Sequence, residues 1–178
     1  MCKLENIIEK CKKGDPGAAE QLYKMFAARM FSICIRYSRN RNEAEDNLQD
    51  GFIKVFHSIG QYSGKGSFEG WMKRVFVTTA LEKYRKEQAF RYTEELTEAT
   101  PYLEAEETIT VPEEVLSRFV EELPEKYRLV FNLYAIEEMT HRDIAALAGI
   151  SEGTSKSNLA RARDILKKKV KEYLEHES

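Results

Sequence analysis

The residues best equipped for chemistry lie between positions 140 and 163, in the segment THRDIAALAGISEGTSKSNLARAR. Ser151 is placed to cap a helix whose exposed face carries Thr154, Lys156, Ser157, Asn158 and Arg161. These side chains are hydrogen-bond donors and acceptors of the kinds that read base edges and hold phosphates. The start of such a helix adds unpaired N–H groups and the positive end of a dipole. Upstream, Thr140 and Asp143 have the spacing of a capping box. Ala145 is small enough for a close helix crossing, and Gly149 can take the positive φ of a tight turn. The segment is therefore expected to be a helix-turn-helix. Arg163 sits beside the apolar stripe and is expected to face the domain interior or a phosphate. Two ordinary helices meeting at a short turn, with their polar residues in water, would show part of the same pattern.

Two further segments carry weaker signals. In AEDNLQDGFIKVF, residues 44–56, helical spacing turns Ala44, Leu48, Phe52, Val55 and Phe56 inward and Asp46, Gln49, Asp50 and Lys54 outward. A face with that acidity repels phosphate and suits a protein partner, though a merely solvated face reads the same. In SFEGWMKRVFVTTALEKYRK, residues 67–86, aromatics (Phe68, Trp71, Phe76, Tyr84) alternate with basic residues that include Arg74 and Arg85. Aromatic faces and cations together can hold an unpaired strand. An amphipathic helix with a basic outer face would have the same composition.

Other chemistries find little support. GQYSGKGS, residues 60–67, resembles a phosphate-binding loop. However, three residues separate Gly60 from Gly64-Lys65, Gly66 replaces the hydroxyl residue, and a helix precedes it where a strand is needed. Cys2, Cys11 and Cys34 fit no zinc spacing and are expected to be buried or free thiols in a reducing compartment. His57, His141 and His176 lie far apart. No nucleophile–base set or paired-carboxylate cleft stands out, so neither enzymatic activity nor a cofactor is expected. No apolar run is long enough to span a bilayer, and the first fifteen residues lack the layout of a secretory signal.

The elements that must position these residues are nearly all helical, and an all-α fold of two small domains is expected. Residues 1–90 read as a bundle of four helices over Leu4–Cys11, Pro16–Tyr37, Asn42–Phe56 and Phe68–Phe90. Asp15-Pro16 starts the second helix, a loop spans His57–Gly66, and Ser67 caps the fourth helix. The second helix is expected to bury Leu22, Phe26, Met30, Ile33 and Cys34. The fourth is expected to bury Phe68, Trp71, Met72, Val75, Phe76 and Thr79. Residues 113–178 read as helices over Glu113–Glu122, from Pro124 to Ile136, over His141–Ala148, and from Ser151 to about Leu174. The last has Leu159, Ala162, Leu166, Val170 and Tyr173 on one face. Between the domains, residues 91–112 are acidic, weakly periodic and interrupted by Pro101 and Pro112, as a linker would be. The net charge of -2 conceals an uneven distribution. Residues 1–90 hold 16 Lys and Arg against 11 Asp and Glu; residues 91–122 hold 2 against 10; residues 123–178 hold 10 against 9.

Taken in order and spacing, AEDNLQDGFIKVF, GSFEGWMKRVFVTTALEKYRK, LPEKYRLVFNLYAIEEMTHRDIA and GISEGTSKSNLARAR resemble the extracytoplasmic-function (ECF) type of RNA polymerase sigma factor, within the sigma-70 family. The resemblance covers nearly the whole chain. It implies a sigma-two domain, a linker and a sigma-four domain, and a transcription initiation factor that takes core RNA polymerase to specific promoters. By resemblance, Asp46, Gln49 and Asp50 match the positions that dock on the beta-prime clamp helices, and the beta flap is a second polymerase contact. Gln61 to Lys65 match the loop that holds a flipped-out base. Trp71 and the helix after it, with Arg74, Thr78 and Arg85, match the part that engages and melts the minus-ten element. Thr154, Lys156, Ser157, Asn158 and Arg161 match the minus-thirty-five reading helix. Thr78 stands where the family often has Asn, and Glu82 where it often has Asp. The resemblance also implies an anti-sigma partner, of the membrane-bound kind, and a cytoplasmic protein that joins the nucleoid when on polymerase. A linker with this acidity would suit a basic polymerase channel. The alternatives are a stand-alone helix-turn-helix regulator that binds duplex DNA without polymerase, and an adaptor that binds polymerase but not DNA.

Overall fold

The computed structural model describes residues 3–90 and 111–177. Among them, every regular element is helical. The chain divides into two compact units, Met1–Glu87 and Gln88–Ser178. The expected linker lies outside the described residues, except for Val111 and Pro112.

In the first unit, α1 spans Lys3–Lys12 and buries Ile7, Ile8 and Cys11. Helix α2, Pro16–Tyr37, starts as expected: the Asp15 carboxylate accepts the Ala18 N–H at 3.0 Å, and Pro16 occupies the first turn, where its missing N–H costs nothing. Its five expected inward residues are all buried. Helix α3 runs over Arg41–Ser58, with the Asn40 side chain accepting the Glu43 N–H. It therefore extends into the expected loop, and Ile59–Gln61 continues as a 3-10 turn that buries Ile59. The apolar Ile59, two turns beyond Phe52, carries the helical pattern past His57. Helix α4, Phe68–Phe90, begins where Ser67 Oγ accepts the Gly70 N–H at 3.0 Å.

Two positions on α3 depart from the simple amphipathic pattern. Asn47 is buried, and its amide donates to Ser38 Oγ at 2.8 Å, while Ser38 Oγ donates to the Cys34 carbonyl at 2.7 Å. This polar relay ties α3 to the end of α2. Gly51 is also buried, and a Cβ there would lie 2.2 Å from the ring of Phe76. Glycine at this position lets the fully packed Phe76 of α4 lie against the backbone of α3. Leu48 and Phe56, expected inward, are half-buried. On α4, Phe68, Met72, Phe76 and Thr79 are buried, whereas Trp71 and Val75 are half-exposed. The stripe is wider than expected and takes in Val77, Ala80 and Leu81. Each large side chain buried this way contributes about 1.5–3 kcal/mol.

In the second unit, α5 spans Glu113–Glu121 and α6 spans Glu125–Phe131. The chain then widens into a π-helical turn, Asn132–Ile136, in which the Glu137 N–H reaches the Asn132 carbonyl. Helical spacing alone predicts one uninterrupted helix to Ile136; α6 instead ends at Phe131 and gives way to the wider turn. Glu138 follows with φ 53°, a left-handed conformation unusual for a residue with a Cβ. Helices α7, His141–Ala148, and α8, Glu152–Glu177, complete the unit. The core is formed by Phe119, Leu123, Leu129, Val130, Leu133, Ile144, Ala148, Leu159 and Ala162. Farther along α8, Tyr173 meets Phe119 edge-on at 6.2 Å, and Lys169 spans the Phe119 ring to pair with Glu122 at 2.5 Å.

Candidate nucleic-acid interface

The turn between α7 and α8 is built by its end groups. Thr140 Oγ1 accepts the Asp143 N–H at 3.2 Å and donates to the Asp143 carboxylate at 2.7 Å. The carboxylate thus takes the threonine hydroxyl rather than completing a capping box on the Thr140 N–H. Aspartate, one methylene shorter than the usual glutamate, has less reach for the reciprocal bond. Helix α7 ends at Gly149, whose φ of 71° is left-handed, and the Gly149 and Ile150 N–H groups both return to the Ala145 carbonyl. Ser151 Oγ then accepts the Thr154 N–H at 2.9 Å and opens α8. The small side chain buried on α7 is Ala148; Ala145, expected at the crossing, is half-exposed.

Thr154, Lys156 and Arg161 are exposed on α8, and Ser157 and Asn158 are half-exposed. The turn places these residues together on the first three turns of one helix. Their hydrogen-bonding states differ. The Ser157 hydroxyl donates to the Thr154 carbonyl at 3.0 Å, and the Thr154 hydroxyl lies 2.8 Å from that of Ser151. At helical spacing, Thr154, Asn158 and Arg161 flank one side of the exposed face, and Lys156 the other.

The support beneath this face comes from a residue whose type and spacing do not mark it as core. Ser155 is fully buried, and its hydroxyl lies 2.9 Å from Nδ1 of His141. The His141 ring stacks on Tyr134 with centroids 4.8 Å apart, and the Arg163 guanidinium lies over the same tyrosine at 5.6 Å. Burial lowers the His141 pKa below its usual value, and the neighbouring Lys156 and Arg163 cations lower it further, against Glu152. Arg163 is half-buried here, in accord with the expectation of an inward-leaning arginine. A serine amid exposed polar residues carries no local mark of being core, because only the partner histidine fourteen residues earlier makes its burial inexpensive.

In the first unit, Trp71, Arg74, Thr78 and Arg85 fall along one stripe of α4. Arg74 and Arg85 are exposed, while Trp71 and Thr78 are half-exposed. Trp71 joins an aromatic cluster with Phe68 at 5.5 Å and Tyr62 at 5.7 Å. Gln61 ends the 3-10 turn and Lys65 sits in the loop beyond it; both are exposed. On α3, Asp46 and Gln49 point to solvent, but Asp50 is half-buried and pairs with Lys83 of α4 at 2.5 Å. Beside it, Lys54 pairs with Glu82. The expected acidic face is therefore tied to α4 by two ion pairs of opposite sense, Asp50 with Lys83 and Lys54 with Glu82, whose α4 partners lie far along the chain and could not be assigned from spacing alone. Cys11 and Cys34 are buried thiols, and burial pushes the Cys34 pKa up to about 12. No helix among the described residues is long and apolar enough to cross a membrane, and no cluster of potential metal ligands occurs among them.

Comparison with known proteins places both units. The sigma-70 region 2 family matches residues 22–90, and the sigma-70 region 4 family matches residues 113–166. The ECF RNA polymerase sigma factor SigW of Bacillus subtilis is 27% identical over 95% of this chain and 97% of its own length. SigE of Mycolicibacterium smegmatis, also an ECF sigma factor, is 31% identical over 83% of this chain and 60% of its own. Among solved structures, the sigma factor RpoE of Bartonella quintana, crystallised with the anti-sigma factor NepR, shares the fold with a TM-score of 0.50 at 18% identity; the match covers 85% of this chain and 96% of that one. The chain belongs to the sigma-70 family of RNA polymerase sigma factors. Within that family it is a transcription initiation factor of the ECF type.

Proposed function

We propose that this sigma factor binds core RNA polymerase through α3 and carries it to promoters read by α8 and α4. The observation that carries the reading is the α7–α8 turn, which presents Thr154, Lys156 and Arg161 outward on a helix anchored from below by Ser155. Such a helix fits the major groove, where the four base pairs are distinguishable. Asn158 has the chemistry to read an adenine edge, and Lys156 and Arg161 that to hold phosphate or guanine. In the first unit, Gln61 and Lys65 meet an unpaired strand of the downstream element, and Trp71, Arg74, Thr78 and Arg85 line its path. Stacking on an aromatic side chain is worth about 1–3 kcal/mol per base, enough to offset part of the cost of melting.

Asp46 and Gln49 form the outward part of the polymerase contact, and the Asp50–Lys83 pair presents as a unit beside them. The beta-prime clamp helices are the proposed partner there, with the beta flap the partner of the second unit. Residues 1–90, 91–112 and 113–178 act as downstream reader, acidic tether and upstream reader. Bond-making stays with the polymerase; this chain contributes binding and positioning, and works in the cytoplasm at the nucleoid. An anti-sigma factor is the proposed inhibitor, supported by the Bartonella relative crystallised with one. A stand-alone regulator leaves the region 2 match over residues 22–90 without a role. The reading is tested by titrating labelled full-length chain with core polymerase. Tight binding, weakened at least about tenfold by Asp46→Lys with Gln49→Ala, is expected; unchanged binding contradicts the docking face.

A further inference from the structure

The loop that links α3 to α4 is held from two sides. From within, the Tyr62 ring lies 5.1 Å from Phe68 and 5.7 Å from Trp71, and its hydroxyl donates to the Gly66 carbonyl at 2.8 Å. From outside, Lys12, the last residue of α1, donates to the Tyr62 carbonyl at 3.3 Å. Glu9, one turn earlier on α1, orients that ammonium at 2.9 Å. A cleft of about 370 Å³ separates α1 from the loop, with Leu4, Ile8, Tyr62 and Phe68 among its walls. Gly64 and Gly66 are both left-handed, at φ 77° and 80°, and a Cβ at either would meet nothing within 4 Å. No side chain packs over the Cα of either glycine, so what restrains this stretch is the Tyr62 bond to the Gly66 carbonyl. An unbraced chain with two such residues has many conformations to lose on binding.

Helix α1 precedes the segment that matches region 2, residues 22–90. We propose that Lys12 and Tyr62 are positioning residues for the downstream-element loop, holding residues 61–65 in one shape before DNA arrives. Gln61 and Lys65 then meet the unpaired strand already ordered, and less conformational entropy is lost on binding. This inference rests on the reading of Gln61 and Lys65 as DNA contacts. Neither Lys12 nor Tyr62 has to touch DNA for it to hold.

The test uses holoenzyme assembled from the full chain and core polymerase. The probe is a pool of forked DNA whose single-stranded downstream segment is randomised. Tyr62→Phe keeps the ring and removes only the bond to Gly66; Lys12→Met keeps the stem and removes the bond to Tyr62. Each is expected to weaken fork binding about 3- to 10-fold, the range for one hydrogen bond. Each should also flatten the base preference recovered from the pool. The salt dependence of binding should be unchanged, the thermal midpoint should fall by no more than the loss of one hydrogen bond allows, and Lys12→Arg should restore the preference. Wild-type affinity and preference in both variants overturn the inference. So does a salt slope lowered by about one unit in Lys12→Met, which would make Lys12 a phosphate contact. The double variant Gln61→Ala with Lys65→Ala separates the two levels: if it binds forks as wild type does, the loop reading itself fails.

Discussion

Ser155 Oγ lies 2.9 Å from Nδ1 of His141 and is wholly removed from solvent. The bond joins the first residue of α7 to the first turn of α8, so it ties the two helices together across the turn. Ser155→Ala deprives a part-buried imidazole nitrogen of its partner, at a cost of about 1–3 kcal/mol. Denaturant unfolding of the full chain should show that loss in the transition of the second unit. Upstream-element binding by holoenzyme should fall with it.

The same histidine makes stability depend on pH. Its folded pKa lies below the ordinary 6.5, first because it is partly buried and then because Lys156 and Arg163 are near; Glu152 acts against them. The unfolded chain therefore binds the proton more readily than the folded one. The stabilisation is fully present above about pH 6.5 and declines as pH falls below that value toward the folded pKa. His141→Gln should flatten this part of the midpoint-against-pH curve. A mutant curve parallel to wild type would show that His141 does not carry the effect.

Gly51→Ala should destabilise the first unit by about 1–3 kcal/mol, the usual range for overpacking. The added methyl meets the Phe76 ring at 2.2 Å, and Phe76 is buried. Gly51→Ala combined with Phe76→Leu should recover part of that loss in chemical denaturation, because the obstacle is one ring.

Gly149→Ala places a Cβ at a φ of 71°, which costs about 1–2 kcal/mol for a left-handed residue. The opposite change at Glu138, φ 53°, relieves strain of the same kind, so Glu138→Gly is expected to be neutral or stabilising by up to about 1 kcal/mol. Thermal midpoints of the two variants should move in opposite directions, or Glu138→Gly should not move at all.

If α8 reads the upstream element as proposed, Asn158→Ala should relax preference at one upstream base position by about 1–3 kcal/mol. Lys156→Ala should weaken binding across sequences and lower the salt slope by about one. Selection from randomised upstream duplex, run with holoenzyme at two salt concentrations, distinguishes them. Uniform loss for Asn158→Ala would make it a positioning contact.

Local chemistry made much of the fold legible. Asp15, Ser67, Thr140 and Ser151 each cap the helix they precede, because a cap is a bond across three residues and leaves a trace in sequence. The helix-turn-helix was readable for the same reason: Gly149 and Ser151 mark the turn within a few residues. What stayed hidden depends on partners far apart in the chain. The burial of Ser155 needs His141, that of Asn47 needs Ser38, and Gly51 is required by Phe76, twenty-five residues later. Asp46 and Asp50 looked alike by spacing, yet only the fold reveals that Lys83 reaches Asp50. The π-helical turn at Asn132–Ile136 was invisible, because its apolar residues continue the pattern of α6.

The central claim is most directly tested by run-off transcription with core polymerase on a library of genomic fragments, with and without the purified chain, and with every start site sequenced. Starts that appear only with the chain, and that share two sequence elements at a fixed separation, are predicted; Lys156→Ala with Arg161→Ala should remove the upstream element from that pattern. Start sites unchanged by adding the chain, at concentrations where it occupies core polymerase, would contradict the account.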